Sequence, residues 1–167
     1  MKITFEKNKS DNDHLVVVYD NCLKNFKPLQ ILSEENEILK RAIIRDKKLK
    51  ETIETFHYTH KNDIKSITIV KVDFSDNVSP VTKTEAYGGK LFSFLERKGF
   101  VNIFMMFIGL SDNVELAESL LNGFNLKSYR FDKYKTTTKK KLNIQSLKIV
   151  DPNNIINKKQ RDILVNK

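Results

Sequence analysis

Three histidines (His14, His57 and His60), one cysteine (Cys22) and two groups of acids are the residues that could do chemistry in this chain. Glu54, His57 and His60 would line one face of a helix. Ile53–His60 reads instead as a strand, which sends His57 to the face opposite Glu54 and His60. Zinc needs three or four protein ligands held together, and no other Cys or His stands at metal spacing. Cys22 has no His nearby in sequence to activate it, so it reads as a small, half-buried side chain. Asp11 and Asp13 sit in a polar turn, and Glu34, Glu35 and Glu37 open a helix. Both groups read as solvated charge rather than acid–base pairs. Gly88-Gly89 lacks the G-x-G-x-x-G pattern and the Lys-Ser/Thr of a phosphate loop, and reads as a packing feature. No catalytic group, metal or cofactor is assigned to the chain itself.

A second concentration of functional side chains lies at Asn113–Lys135. Leu116, Leu120 and Phe124 fall at i, i+4 and i+8, with Ala117 and Leu121 on the same face, which predicts an amphipathic helix. Asp112 and Glu115 form a candidate N-terminal capping pair. The helix runs into Tyr129, Phe131 and Tyr134 interleaved with Arg130, Lys133 and Lys135. Such a cluster of rings must bury against the domain or meet a partner.

Positioning these residues takes one domain with a real core, which 167 residues can supply. Hydrophobic content of 40% and charged content of 31% are those of a soluble globular protein. The longest apolar run, Ile103–Leu110, is far short of the ~20 residues that span a bilayer. The N-terminus is too polar for a signal-peptide core, and a single cysteine suits a reducing compartment, so a cytoplasmic location is expected. Residues 1–126 hold 18 Lys/Arg and 18 Asp/Glu, while residues 127–167 hold 12 and 3, so the whole +9 lies in the last quarter. A basic tail with Lys133, Lys135, Lys139, Lys140 and Lys141 can attract phosphates, although Lys-rich tails are also simply solvated.

In chain order, strands are expected at Ile3–Phe5, Leu15–Tyr19, Ile53–Tyr58, Ile67–Val72 and Val101–Leu110, the last central and nearly continuously apolar. Leu142, Ile144, Leu147 and Ile149 suggest a final strand. Helices are expected over Glu34–Lys48, capped by Ser33, and over Thr82–Lys98, ended by Gly99. Gly88-Gly89 costs the second helix about 1 kcal/mol per glycine against Ala, which close packing on the sheet would explain. The sum is an α/β fold, a parallel or mixed sheet with helices on both faces.

The segment AESLLNGFNLKSYRFDKYKT resembles the end of the N-terminal domain of the leucyl (cytosol) aminopeptidases. In that family a helix rich in small residues runs into a Tyr-Arg-Phe-(Asp/Asn)-(Arg/Lys)-Tyr-(Arg/Lys) signature. Here the signature is Tyr129-Arg130-Phe131-Asp132-Lys133-Tyr134-Lys135, without departure. The strand, the Gly-Gly helix with KLFSFLERKG, the apolar strand and the following helix run in the family's order. The resemblance covers roughly residues 1–150 and implies a macro-domain-like fold. Residues 151–167 are then a tail or the start of a linker to a catalytic domain. One departure is Val72-Asp73-Phe74-Ser75, where such domains carry a Gly-Leu-Gly turn.

Family members carry a larger catalytic domain that binds two divalent metals, Zn or Mn, around an Asn-Thr-Asp-Ala-Glu-Gly-Arg segment, and they assemble as hexamers. That segment does not occur in this sequence, although Arg161–Asn166 resembles the first residues of that domain. The resemblance therefore implies a non-catalytic N-terminal domain whose partners are the parent's catalytic domain and further copies. Tyr129, Arg130, Phe131, Asp132 and Tyr134 are its structural or interface candidates. Two alternatives remain. One is a nucleic-acid-binding module using Lys133, Lys135 and Lys139–Lys141. The other is a macro-type binder of a phosphorylated nucleotide, which would have to do without the glycine turn.

Overall fold

The computed structural model describes residues 1–6, 13–20, 37–41, 53–60, 63–74, 78–108, 114–129 and 142–150. Strands β1 (Lys2–Phe5), β2 (His14–Asp20), β3 (Ile53–His60), β4 (Asp63–Val72), β5 (Asn102–Ile108) and β6 (Ser146–Val150) form one sheet in the order β1-β6-β5-β2-β4-β3. Every neighbouring pair is parallel except β3 with β4. Helical backbone covers residues 37–41 (α1), Pro80–Lys98 (α2) and Val114–Ser128 (α3).

The α/β class and the central place of the apolar strands follow from burial. Leu15, Val16, Val17 and Val18 of β2 are inaccessible to solvent, because β2 is covered on both faces. The alternation of β-strands then sorts the core into two layers. Val16, Val18, Val70, Val72, Ile103 and Met105 face Leu91, Leu95, Leu120 and Phe124 of α2 and α3. Leu15, Val17, Ile67, Ile69, Phe104 and Met106 face the other way, where Leu39 of α1 packs among them. The opposite orientation of Ile67/Ile69 and Val70/Val72 is the one their alternation predicts.

Helix α2 starts two residues earlier than the sequence suggests. Pro80 occupies its first turn, where a missing N–H costs nothing, and the Thr84 hydroxyl donates to the Pro80 carbonyl at 2.6 Å. Gly99 ends the helix as expected, with φ 79°, and its N–H bonds the Glu96 carbonyl at 3.1 Å.

The glycine pair of α2 is explained by a different neighbour from the one expected. A Cβ on Gly88 would collide with the Leu120 carbonyl of α3 and stand 2.8 Å from the Phe124 nitrogen. Gly123 of α3 meets the Glu85 backbone of α2 in the same way. The two helices therefore touch backbone to backbone, and the sheet is not what demands the glycine. Gly89 has ordinary room: its nearest outside atoms would lie 3.8 and 3.9 Å from a Cβ. The Ser119 hydroxyl adds a bond to the Val81 carbonyl, 2.6 Å, across the same seam.

Two further expectations are corrected. The last strand comprises Ser146–Val150 only, with Leu142 and Ile144 preceding it. Ile144 is nevertheless buried in the helix-side core, and Glu96 at the end of α2 accepts its N–H at 3.2 Å and that of Asn143 at 3.0 Å. Asp13 is not solvated charge: its side chain is 2% exposed and accepts two bonds, 3.0 and 2.9 Å, from the Lys148 ammonium on β6. Burying a carboxylate demands such a partner. Asp11 lies outside the described residues, as do Cys22, Ser33, Glu34, Glu35 and Asp112. No helix among the described residues is long and apolar enough to cross a membrane.

Candidate functional site

The aromatic-basic clasp leaves from the end of α3. That helix forms where the apolar spacing placed it, and Leu116, Ala117, Leu120, Leu121 and Phe124 are all buried. Phe124 meets Phe92 of α2 edge to face, with ring centroids 5.2 Å apart. Tyr129, the first residue beyond the helix, keeps its N–H bonded to the Asn125 and Leu126 carbonyls, both at 3.2 Å. Its side chain is 72% exposed, as is 59% of Leu126 one turn earlier. The other interface candidates, Arg130, Phe131, Asp132 and Tyr134, lie outside the described residues. So do Lys133, Lys135 and Lys139–Lys141. Of the predicted site, the structure places the launching helix and one solvent-facing ring.

A polar cluster that sequence reading missed lies at the start of the parallel strands. His14 is buried at the head of β2, and its Nε2 is 2.8 Å from the Thr68 hydroxyl. Its Nδ1 is 3.1 Å from the Ser66 hydroxyl, and Thr55 of β3 bonds Thr68 at 2.9 Å. Phe100 stacks on the imidazole at 3.5 Å between centroids and 11° between planes. The Asp13–Lys148 pair is one residue along.

A Ser–His contact invites a nucleophilic reading, but the geometry argues for a seal. His14 is 7% exposed and roofed by a phenyl ring, so the imidazole that would activate Ser66 is closed off from solvent. The cluster also lies at the amino ends of β2 and β5 and midway along β4, whereas open α/β sheets hold ligands at the carboxyl ends. At that opposite end β4 runs into Asp73 and Phe74, and Phe74 packs on the helix-side core. Residues 75–77 and 109–113 around it lie outside the described residues.

The remaining histidine reading resolves by strand geometry. Ile53–His60 is a strand, so the helical Glu54–His57–His60 series does not form. Glu54 is paired with Ile69, on the Leu39 side of the sheet, and its Oε2 is buried without a hydrogen-bond partner among the described residues. Among the described residues, no three His, Cys, Asp or Glu side chains come together as a metal site would require.

No family model matches the chain, and no curated protein matches it. Among solved structures it is similar to a tomato leucine aminopeptidase mutant, with a TM-score of 0.58 and 15% sequence identity. The likeness covers 90% of this chain and 32% of that one, so the chain spans about a third of the length of that structure. At this identity the similarity is one of fold. An α/β sheet with this layering is thus found in a leucine aminopeptidase.

Proposed function

We propose that the chain is a non-catalytic domain of leucyl-aminopeptidase type, which packs against a catalytic domain and helps to shape an assembly. The supporting observation is the lopsided coverage: nearly all of this chain, 90%, is matched by 32% of a leucine aminopeptidase. The Tyr129–Lys135 signature supports the same reading independently, because it rests on residue identities and not on shape. Tyr129 adds a physical reason. A phenol 72% exposed at the end of a well-buried helix is where a docking partner would find an aromatic anchor. In this reading the chemistry belongs to the partner domain, whose two metals would activate water, and this chain supplies packing surface.

The test is an activity measurement on the protein in its native source. Immunoprecipitation with an antibody to this chain should bring down metal-dependent hydrolysis of leucine amide, while the purified 167-residue chain with added Mn²⁺ or Zn²⁺ shows none. An immunoprecipitate without that activity would overturn the reading. So would turnover by the purified chain that survives metal titration.

A further inference from the structure

The outer side of α2 carries a groove of about 470 Å³. Ile53 of β3, Ala86, Gly89 and Phe94 make its apolar wall, and Lys90, Arg97 and Lys127 stand around it. The sequence organises this surface. Ala86, Gly89, Lys90, Ser93, Phe94 and Arg97 recur at helical spacing on one stripe of α2, beside the stripe that packs on the sheet. Lys127 arrives from the last turn of α3, brought in because the two helices approach so closely. The small residues Ala86 and Gly89 leave the floor open.

Charge decides what such a groove would hold. Among the described residues, no Asp or Glu lines it. Among the described residues, none of Lys90, Arg97 and Lys127 forms an ion pair. Lys90 Nζ lies 5.5 Å from the Tyr87 ring centroid, and Arg97 lies 6.0 Å from that of Phe94. The carbonyl ends of α2 and α3 offset part of the charge on Arg97 and Lys127, which stand in the last turns. That effect fades beyond a turn and does not reach Lys90. Three cations that line one groove repel one another, and a bound anion converts that repulsion into attraction.

We propose that this groove binds a small, multiply charged phosphate ligand. Arg97 offers a planar fork suited to two phosphate oxygens, and Lys90 and Lys127 act as point charges on either side. The volume falls within the range of about 300–1,000 Å³ usual for small-molecule sites. A nucleic-acid backbone would instead need cations along a track, whereas these surround one hollow. The site is independent of the aminopeptidase-domain reading and stands or falls without it.

Calorimetric titration of the full chain with inorganic phosphate, tripolyphosphate, ADP and a short single-stranded DNA tests this. Tripolyphosphate and ADP should bind more tightly than phosphate, and Lys90→Gln, Arg97→Gln and Lys127→Gln should each weaken them about fivefold. Tighter binding of ADP than of tripolyphosphate would assign the organic portion to the Ile53–Phe94 wall, and the reverse would assign a free polyphosphate. Lys40→Gln, on the other face of the sheet, and a triple Lys139–Lys141→Gln change should leave affinity unchanged. Thermal unfolding of each variant confirms that the fold is kept. Absence of phosphate binding, equal losses in the control variants, or DNA binding that outcompetes ADP and needs the tail would each overturn the proposal.

Discussion

The α-carbon of Gly88 rests against the carbonyl oxygen of Leu120, leaving no space at that point for even a methyl group. Gly123 stands in the same relation to Glu85. These two contacts set the distance between the helices and so the height of the layer that covers the sheet.

Alanine at either position should therefore destabilise the fold. A Gly-to-Ala change inside a helix normally gains about 0.5–1 kcal/mol, but overpacking costs about 1–3 kcal/mol and wins where the obstacle is backbone. Gly88→Ala and Gly123→Ala should each lower stability in equilibrium urea unfolding, while Gly89→Ala should raise it by up to about 1 kcal/mol. Equal effects at Gly88 and Gly89 would contradict the seam.

The Asp13–Lys148 pair should show the asymmetry of a buried charge. Lys148→Met withdraws the countercharge from a carboxylate that is 2% exposed, and breaking such a pair costs about 3–5 kcal/mol. Asp13→Asn should cost less, since Lys148 is 26% exposed and can turn its ammonium to water. The double change Asp13→Leu with Lys148→Met should recover most of the loss. A double mutant as weak as Lys148→Met would refute this account.

Thr68 serves His14 and Thr55 with one hydroxyl. Thr68→Val keeps shape but withdraws that partner from both, so it should cost about 1–3 kcal/mol despite being nearly isosteric. Val at Thr59, an exposed position on the same strand as Thr55, is the control and should change stability by less than about 0.5 kcal/mol.

Glu96 breaks a local rule, standing as an acid in the last turn of a helix, where the dipole disfavours it. Its carboxylate is held there by the N–H groups of Asn143 and Ile144, and the Asn143 amide returns a bond of 3.0 Å to the Glu96 carbonyl. Glu96→Ala should release residues 142–145 and cost about 1.5–3 kcal/mol, the usual worth of hydrogen bonds to a charged group. Faster hydrogen exchange at the Asn143 and Ile144 amides would mark the cause, and unchanged protection there would count against it.

How far the sequence carries depends on the distance over which each interaction acts. Gly99 as a helix stop, the i/i+4 stripe of Leu116, Leu120 and Phe124, and the two-faced alternation around Ile67–Val72 are local and were legible. The partner of Gly88 was not, because a glycine pair states that something comes close without saying what. Asp13 and Lys148 are 135 residues apart, and His14 and Thr68 are 54 apart. Nothing in a polar turn or a strand head announces such partners. For the clasp, periodicity predicted the helix that launches Tyr129, while the rest of the signature rests on residue identities alone.

Among the described strands, β1 pairs only with β6, with Ile3 opposite Leu147. During synthesis Lys2–Phe5 therefore waits for a partner far along the chain: among the described strands it has none to join until Ser146–Val150 has left the ribosome. Closing a loop of that length is slow, so an edge of the sheet must stay unfinished on every nascent chain that stops short of Val150. Synthesis of β6 is thus the event that closes this edge of the sheet, and a ribosome stalled before Val150 would present β5 with an open flank for chaperones to guard.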